Sequence, residues 1–264
     1  MASQGEVVPE KPTPGSRAGV RLGSAILENQ KLKELEELQA ERRRRVGYRK
    51  FEAYAASYSP DYVHPETGEK DGYAKHRRLM ESKTTTSSAM SSNRCGKSAA
   101  GAFETTCHAT GNYPSWWNGI RFDKPVSIWV AGITAKSTQE VIQFELLGEL
   151  NTSFGTGMIP KDSIIGTKRM QGHTDTVETI YVRHVSGGVS VIGVKSMEQG
   201  RSKFQGTGKE FCWLDEEPDR EAYDIYAECK ARTMTTGGKV LLTFTPLKGM
   251  SELCKWLIDK KSDP

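Results

Sequence analysis

The stretch Ser91-Ser92-Asn93-Arg94-Cys95-Gly96-Lys97-Ser98 constrains this chain more than any other. A β-branched and small-residue run, Thr84 to Met90, precedes it, and Ala99 to Thr105 follows with residues suited to a helix. Strand, polar turn and helix in that order place a helix N-terminus at the end of a buried first strand. Backbone N–H groups at such a junction, aided by the helix dipole, make a site for an anion. A lysine and a hydroxyl directly after the glycine suit phosphate. Lys97 is placed to reach the β- and γ-phosphates of a nucleotide, and Ser98 to hold Mg²⁺. The spacing G-x-x-x-x-G-K-[ST] is met except at its first position, where Ser91 stands for glycine. The competing reading is an ordinary strand–turn–helix junction with an exposed lysine, which a second, acidic motif on a later strand disfavours.

With 264 residues the chain can bury the core of one sizeable α/β domain and carry an appendage. A formal net charge of +4 permits contact with nucleic acid without demanding it. Cys95, Cys107, Cys212, Cys229 and Cys254 are widely spaced and form no C-x-x-C pair, so they read as reduced intracellular thiols and not as a disulfide framework or zinc site. No apolar run approaches membrane-spanning length and the polar N-terminus lacks a signal-peptide core, so a soluble, cytosolic protein with no membrane partner is expected.

Residues 1–23, rich in Pro, Gly and Ser, read as a disordered lead-in, and 24–72 as a helical appendage with its linker. A helical pattern runs from Ser24, a capping residue, to about Tyr58, with Leu32, Leu35 and Leu38 at helical spacing. Arg42 to Arg45 read as a solvated helix face with Glu–Arg pairs in preference to a phosphate-backbone contact. Tyr73 to Met80 form a short helix just before the first strand, where Tyr73 and His76 can meet a nucleotide base or simply pack. Val126 to Ala131 is a second strand. Ser137 to Leu150 is helical with Val141, Phe144, Leu147 and Leu150 on one stripe, and 151–176 is a surface insertion. Glu178–Arg183 and Val189–Val194 flank Gly187-Gly188 as a hairpin or two adjacent strands. This alternation predicts an α/β fold whose mostly parallel central sheet is flanked by helices, preceded by the N-terminal helical appendage.

The acidic motif is present. Glu210 to Pro218 is an apolar run ending in Asp215, Glu216 and Glu217, the pattern of a buried strand that delivers acids to a phosphate site. Asp215 suits Mg²⁺ and Glu216 the attacking water, as general base. A strand leading into a helix N-terminus also favours such acids, but their combination with Gly96-Lys97-Ser98 points to a nucleotide hydrolase. Lys239 to Pro246 is a further buried strand whose hydroxyls, Thr243 and Thr245, lie at the carboxyl edge where ligands of α/β sheets gather.

The order N-R-x-G-K-S, then h-h-h-L-D-E-E, then L-L-T-F-T-P resembles the ATPase domain of the large terminase subunit of tailed bacteriophages. Tyr73-Ala74-Lys75-His76 and Gly200 to Gly206 share the resemblance, which covers roughly residues 60–260. It implies a phosphate-loop ATPase of the additional-strand catalytic-glutamate type over 73–264. It also implies ATP and Mg²⁺ as cofactors and a motor that drives double-stranded DNA through a portal into a procapsid. By position, Lys97 and Ser98 become phosphate and metal ligands, Asp215 the metal acid, Glu216 the base, and Thr243 to Pro246 the coupling motif. The partners implied are double-stranded DNA, the portal protein, the small terminase subunit and further copies of the chain in a ring. The place implied is the host cytoplasm at the portal vertex, outside the mature virion.

Many relatives carry Arg-Gly about ten residues before the catalytic glutamate, as an arginine finger, where this chain has Gln205-Gly206. Arg201 is therefore the expected finger, with Arg94 as its competitor. Such terminases usually carry an RNase H-like nuclease domain after the ATPase, for which Pro264, shortly after the apolar helix Leu253 to Ile258, leaves no room, so an isolated N-terminal domain without DNA cleavage is expected in preference to an unusual short relative. Lys168 and Arg169 are weak candidates for DNA contact. Two rival functions stand: a helicase- or translocase-type ATPase outside phage packaging, and a nucleotide- or DNA-binding module that does not hydrolyse.

Overall fold

The computed structural model describes residues 29–35, 37–38, 50–149, 154–171, 175–247 and 249–261. The chain divides into two units, 1–43 and 44–264. Of the first, 29–35 and 37–38 are helical, with Leu32, Leu35 and Leu38 exposed. The predicted lead-in and Arg42 to Arg45 lie outside the described residues.

The second unit is built on one seven-stranded sheet. Its strands are β1 (Thr86–Met90), β2 (Ser127–Gly132), β3 (Ile164–Arg169), β4 (Val177–Arg183), β5 (Val189–Ser196), β6 (Phe211–Asp215) and β7 (Lys239–Phe244), in the spatial order β1-β7-β6-β2-β5-β4-β3. From β1 to β5 every pairing is parallel, while β5–β4 and β4–β3 are antiparallel. The helices are α1 (50–57), α2 (Ala74–Glu81), α3 (Lys97–Thr110), α4 (Ala135–Ser137), α5 (Phe144–Leu147), α6 (Ala222–Met234) and α7 (Glu252–Lys261). β6 and β7 are apolar nearly throughout because both of their faces are covered, and every residue of each is buried. β5 alternates instead, with Ser190, Ile192, Val194 and Ser196 buried and the residues between them not.

α3 runs through the centre of one face. Gly101 permits this: a Cβ there would stand 2.2 Å from the Trp213 ring of β6. Gly111, at φ +71°, ends the helix in the left-handed region and returns its N–H to the Cys107 carbonyl. The β4–β5 hairpin turns through Gly187 and Gly188, at φ +91° and +83°, as the sequence predicts.

Three expectations need correction. β1 is an edge strand and mostly half-buried, because β7 inserts between it and β6 and no strand pairs its other side among the described residues. The helix after β2 buries Thr138, Ile142, Gln143, Leu146 and Leu147, leaving Val141 and Phe144 exposed, and Leu150 lies outside the described residues. A π-helical segment, Thr138–Gln143, causes this by adding a residue per turn and rotating the apolar stripe. The buried Gln143 amide is satisfied by the Asp175 carbonyl and the Val177 N–H, both at 2.9 Å. Finally, 151–176 is not wholly a surface insertion: it contains β3, and Met158 and Ile159 are buried in the core.

Candidate active site

Parallel pairing brings the carboxyl ends of β1, β7 and β6 to one edge, with Met90 opposite Phe244 and Asp215 opposite Thr243. The loop 91–96 leaves β1 there and enters α3 through Gly96, whose φ of +80° is the left-handed conformation glycine adopts without strain. Among the described residues, the backbone N–H groups of Ser92 to Gly96 have no protein acceptor, and the free N–H groups of the first turn of α3 continue the row. Such a row of converging donors is a cradle for phosphate oxygens.

Lys97 is buried and folds back over this loop. Its ammonium donates to the Ser92 carbonyl at 2.8 Å, the Ser91 carbonyl at 3.2 Å and the Thr245 hydroxyl at 2.9 Å. The Thr245 hydroxyl in turn donates to Asn93 Oδ1 at 2.7 Å. The loop and the turn after β7 are thus tied through one threonine.

Asp215 ends β6, buried. It accepts from the Ser98 hydroxyl at 3.0 and 3.1 Å and from Thr243 Oγ1 at 2.6 Å, and the Trp213 indole N–H holds Thr243 at 2.7 Å. Burial pushes the Asp215 carboxyl up to about 6, against the pull of Thr243, Ser98 and Lys97. Ser98 and Asp215 together offer a hydroxyl and one carboxylate facing the phosphate cradle. That donor set fits Mg²⁺, which is usually held by one or two carboxylates with water and substrate phosphates completing its shell. Among the described residues no cluster of three or more His, Cys, Asp or Glu forms an alternative metal centre.

Glu216 follows in the left-handed region at φ +64°. Its N–H bonds the Thr243 carbonyl at 2.8 Å and its carboxylate accepts from the Thr245 N–H at 3.0 Å. The turn aims Glu216 toward the β7 edge, beside Lys97's partner Thr245.

On the other side of the loop, a cleft of about 680 Å³ is lined by Tyr54, Tyr58, Tyr62, Tyr73, His76 and Arg94, among others. His76 Nε2 donates to the Cys95 carbonyl at 2.8 Å, which requires the proton on Nε2. Burial lowers the His76 pKa, and the carbonyl offsets this only in part. The His76 ring stacks on Tyr58 at 5.7 Å with 16° between the planes, and Tyr73 meets both rings edge-on. Tyr54, Tyr58 and Tyr62 were not expected in the cleft: Tyr54 lies in α1, but Tyr58 and Tyr62 follow its end in the turn beyond, where no helical spacing marks them.

The structure therefore brings Asn93, Lys97, Ser98, Asp215, Glu216, Thr243 and Thr245 into one connected cluster, with Tyr73 and His76 at the adjoining cleft. Arg201 sits elsewhere in its contacts. Its Nε pairs with Glu228 at 2.9 Å and its N–H bonds Glu221 at 2.8 Å. Arg94 is exposed at the loop, at φ +61°, with no ion pair among the described residues.

The raised Asp215 pKa has a stability consequence. The folded state keeps this proton to higher pH than the unfolded chain, so wild-type stability declines as pH rises from about 4 to about 6. Asp215→Asn is expected to stabilise the metal- and nucleotide-free fold at neutral pH by about 3 kcal/mol, and by nothing near pH 4. Urea unfolding at both pH values checks this, and an equal gain at both would mean that Asp215 is not the source.

The family described as "Terminase large subunit, T4likevirus-type, N-terminal" matches residues 88–264. The large terminase subunit of Salmonella phage P22 is 37% identical over 183 residues, which span 62% of this chain and 36% of that protein. Among solved structures, the large terminase of bacteriophage HK97 is similar at a TM-score of 0.48 and 14% identity, covering 80% of this chain and 41% of that one. The ATPase domain of the Thermus phage P74-26 large terminase is similar at 0.44 and 16%, covering 73% and 67%. With the family match spanning both the phosphate loop and the acidic strand, this chain belongs to the T4likevirus-type large terminase subunits.

Proposed function

We propose that this chain is the ATP-hydrolysing motor module of a phage DNA-packaging enzyme. The observation that carries the proposal is the convergence of Lys97, Ser98, Asp215 and Glu216 on one row of free loop amides. ATP lies with its phosphates over those amides, while its base enters the tyrosine cleft against Tyr73 and His76. Lys97 exchanges the Ser91 and Ser92 carbonyls for the β- and γ-phosphate oxygens. Ser98 and Asp215 would hold Mg²⁺, which would supply neutralisation of the phosphate charge. Glu216 takes a proton from the water that attacks the γ-phosphorus in line, as the bond to the ADP oxygen breaks and phosphate leaves. Lys97 and an arginine stabilise the spreading negative charge.

Thr243 and Thr245 couple the two halves of this site. Thr243 holds Asp215, and Thr245 holds both Lys97 and Glu216, so a phosphate that claims Lys97 alters the contacts of the β7 turn. The proposed work is translocation of double-stranded DNA into a procapsid by a ring of these chains on the portal protein, with DNA delivered by the small subunit. The proposed location is the host cytoplasm at the portal vertex.

The arginine is tested with the ring. Arg201, half exposed and with its side chain paired among the described residues to Glu228 alone, can leave Glu228 for a neighbouring chain's phosphates. Phosphate release per chain is expected to rise with protein concentration, and Arg201→Ala to abolish the rise while leaving nucleotide binding intact. If Arg94→Ala abolishes it instead, the finger belongs to the loop. Nucleotide binding without release at every concentration would leave a non-hydrolysing module.

A further inference from the structure

The antiparallel half of the sheet has two unlike faces. Ile180 and Val182 of β4 and Ile192 and Val194 of β5 are buried in the core on one. On the other, Thr179, Tyr181, Val191, Gly193 and Lys195 are only half-buried, and Arg183 and Val189 are exposed. Register places these residues together, with Thr179 opposite Gly193, Tyr181 opposite Val191 and Arg183 opposite Val189. The half-open face continues onto β2 at Trp129, which pairs with Gly193.

Around Trp129 the chain gathers cations, with Glu178 acting on Lys195 and Glu210 on Lys209 only from a distance and in no ion pair with them among the described residues. The Lys195 ammonium lies 4.7 Å from the Trp129 ring centroid and 5.6 Å from that of Phe204, and the Lys209 ammonium lies 4.8 Å from Trp129. Lys195 donates to the Lys203 carbonyl at 2.7 Å, which brings a third lysine to the same corner. Among the described residues none of Lys195, Lys203, Lys209 and Arg183 forms an ion pair. The one carboxylate on β4, Glu178, is engaged by Lys168 at 2.8 Å. Burial lowers the pKa of both Lys195 and Lys209, and for Lys195 the charges of Lys209 and Lys203 add to it. Holding two stacked, partly desolvated ammonium groups together with no carboxylate in direct contact is unfavourable in the free protein. An anion arriving at the face removes that cost.

We propose that this face contacts the phosphate backbone of double-stranded DNA through Lys195, Lys203 and Arg183, with the buried Lys209 ammonium, held by the Thr207 hydroxyl and the Gly208 carbonyl, adding its charge without direct contact. Six residues separate Val189, opposite Arg183, from Lys195 on β5, so the cations span roughly 20 Å at a strand's rise of about 3.3 Å per residue. That length faces about six base pairs of B-form duplex. Lys195, Lys203 and Arg183 present ammonium and guanidinium groups suited to phosphate oxygens, so the contact is independent of sequence. Lys168, a candidate from sequence, lies next to the face but is already neutralised by Glu178. The proposal rests on the reading of the chain as a DNA-moving motor, and locates where that motor grips.

The test is fluorescence anisotropy of a labelled duplex of arbitrary sequence with the full chain across a salt series. Lys203 and Arg183 are exposed, so Lys203→Gln/Arg183→Gln leaves the core untouched, while Lys195→Met keeps the stacked stem and drops the charge. The double variant is expected to lower the slope of log K against log salt by about 2 and to weaken binding on the order of tenfold or more. Adding Lys195→Met extends the loss, with melting temperature and nucleotide affinity unchanged. Wild-type binding with an unaltered slope in the variants overturns the location and leaves the motor reading standing. Absence of duplex binding by the wild type at low salt overturns both. Tighter wild-type binding to poly-glutamate than to duplex, lost in the same variants, assigns the face to an acidic protein and overturns the DNA contact.

Discussion

Glu216→Gln is expected to lower phosphate release from Mg²⁺-ATP by about 10²- to 10⁴-fold while ATP still binds. The groups proposed to hold the phosphates, the loop amides and Lys97, are separate from the Glu216 carboxylate, so binding is spared. Glutamine keeps the shape of glutamate and an oxygen to accept from the Thr245 N–H, a bond of 3.0 Å in the wild type. The side chain therefore stays where it is, and what disappears is the capacity to take a proton from water. A drop of this size corresponds to about 3 to 5 kcal/mol of transition-state stabilisation. The backbone supports the assignment. Glu216 is a non-glycine residue at φ +64°, a conformation costing on the order of 1 kcal/mol that persists where a site requires it. Side-by-side measurement at high protein concentration is the check. Equal rates would reduce the acids after β6 to a structural strand end, and the proposed motor function would lose its chemistry.

The parts of this site that were legible in the sequence are those where burial and chemistry fall on the same few residues. β6 and β7 announce themselves because a central parallel strand is covered on both faces and must be apolar throughout until it meets the site. Asp215, Thr243 and Thr245 mark that point by their polarity alone. The loop is legible because Gly96 must adopt a positive φ and Lys97 and Ser98 must follow it. Other features are not carried by any local pattern. Whether β1 is central or at an edge depends on β7, some 150 residues later, inserting beside it, which no property of Thr84 to Met90 records. The buried stripe from Thr138 to Leu147 is displaced by a π-helical turn that α-helical spacing cannot anticipate. β3 has two isoleucines and a bulged register at the rim of the sheet, so its alternation is too short to separate from loop. The partner of Arg201, Glu228, lies on α6, whose amphipathic signal is weak among its many polar residues.

Glu104→Ala is expected to destabilise the fold by about 3–5 kcal/mol, because it strands a buried cation. Glu104, Lys239 and His108 are all buried in the layer between α3 and the sheet. The Lys239 ammonium donates to Glu104 Oε1 at 2.7 Å and to the Leu79 carbonyl of α2 at 3.0 Å. His108 lies 3.6 Å from the same carboxylate, inside a ring of Tyr113, Trp117, Phe122 and Phe211. Burial alone would raise the Glu104 carboxyl, but Lys239 and His108 outweigh it and hold it below its usual value. His108 is pushed the other way: burial lowers its pKa despite the carboxylate, so the folded protein keeps it neutral. Both shifts have the same sign in stability. The unfolded chain takes up a proton on His108 below about pH 6.5 and on Glu104 below about pH 4.5, each before the folded state does, so wild-type stability falls with acidification in two steps. Removing one partner is therefore costly, whereas replacing the ion pair together, as Glu104→Leu/Lys239→Met, is expected to be neutral or stabilising, since hydrocarbon fills the same volume without a desolvation penalty. His108 remains in that double variant, so its acid step near pH 6 persists while the step below pH 4.5 disappears. Denaturant unfolding between about pH 2 and pH 8 reads both. If Glu104→Ala costs less than about 1 kcal/mol, the cluster is solvated in solution and the Lys239 cation is not held by Glu104.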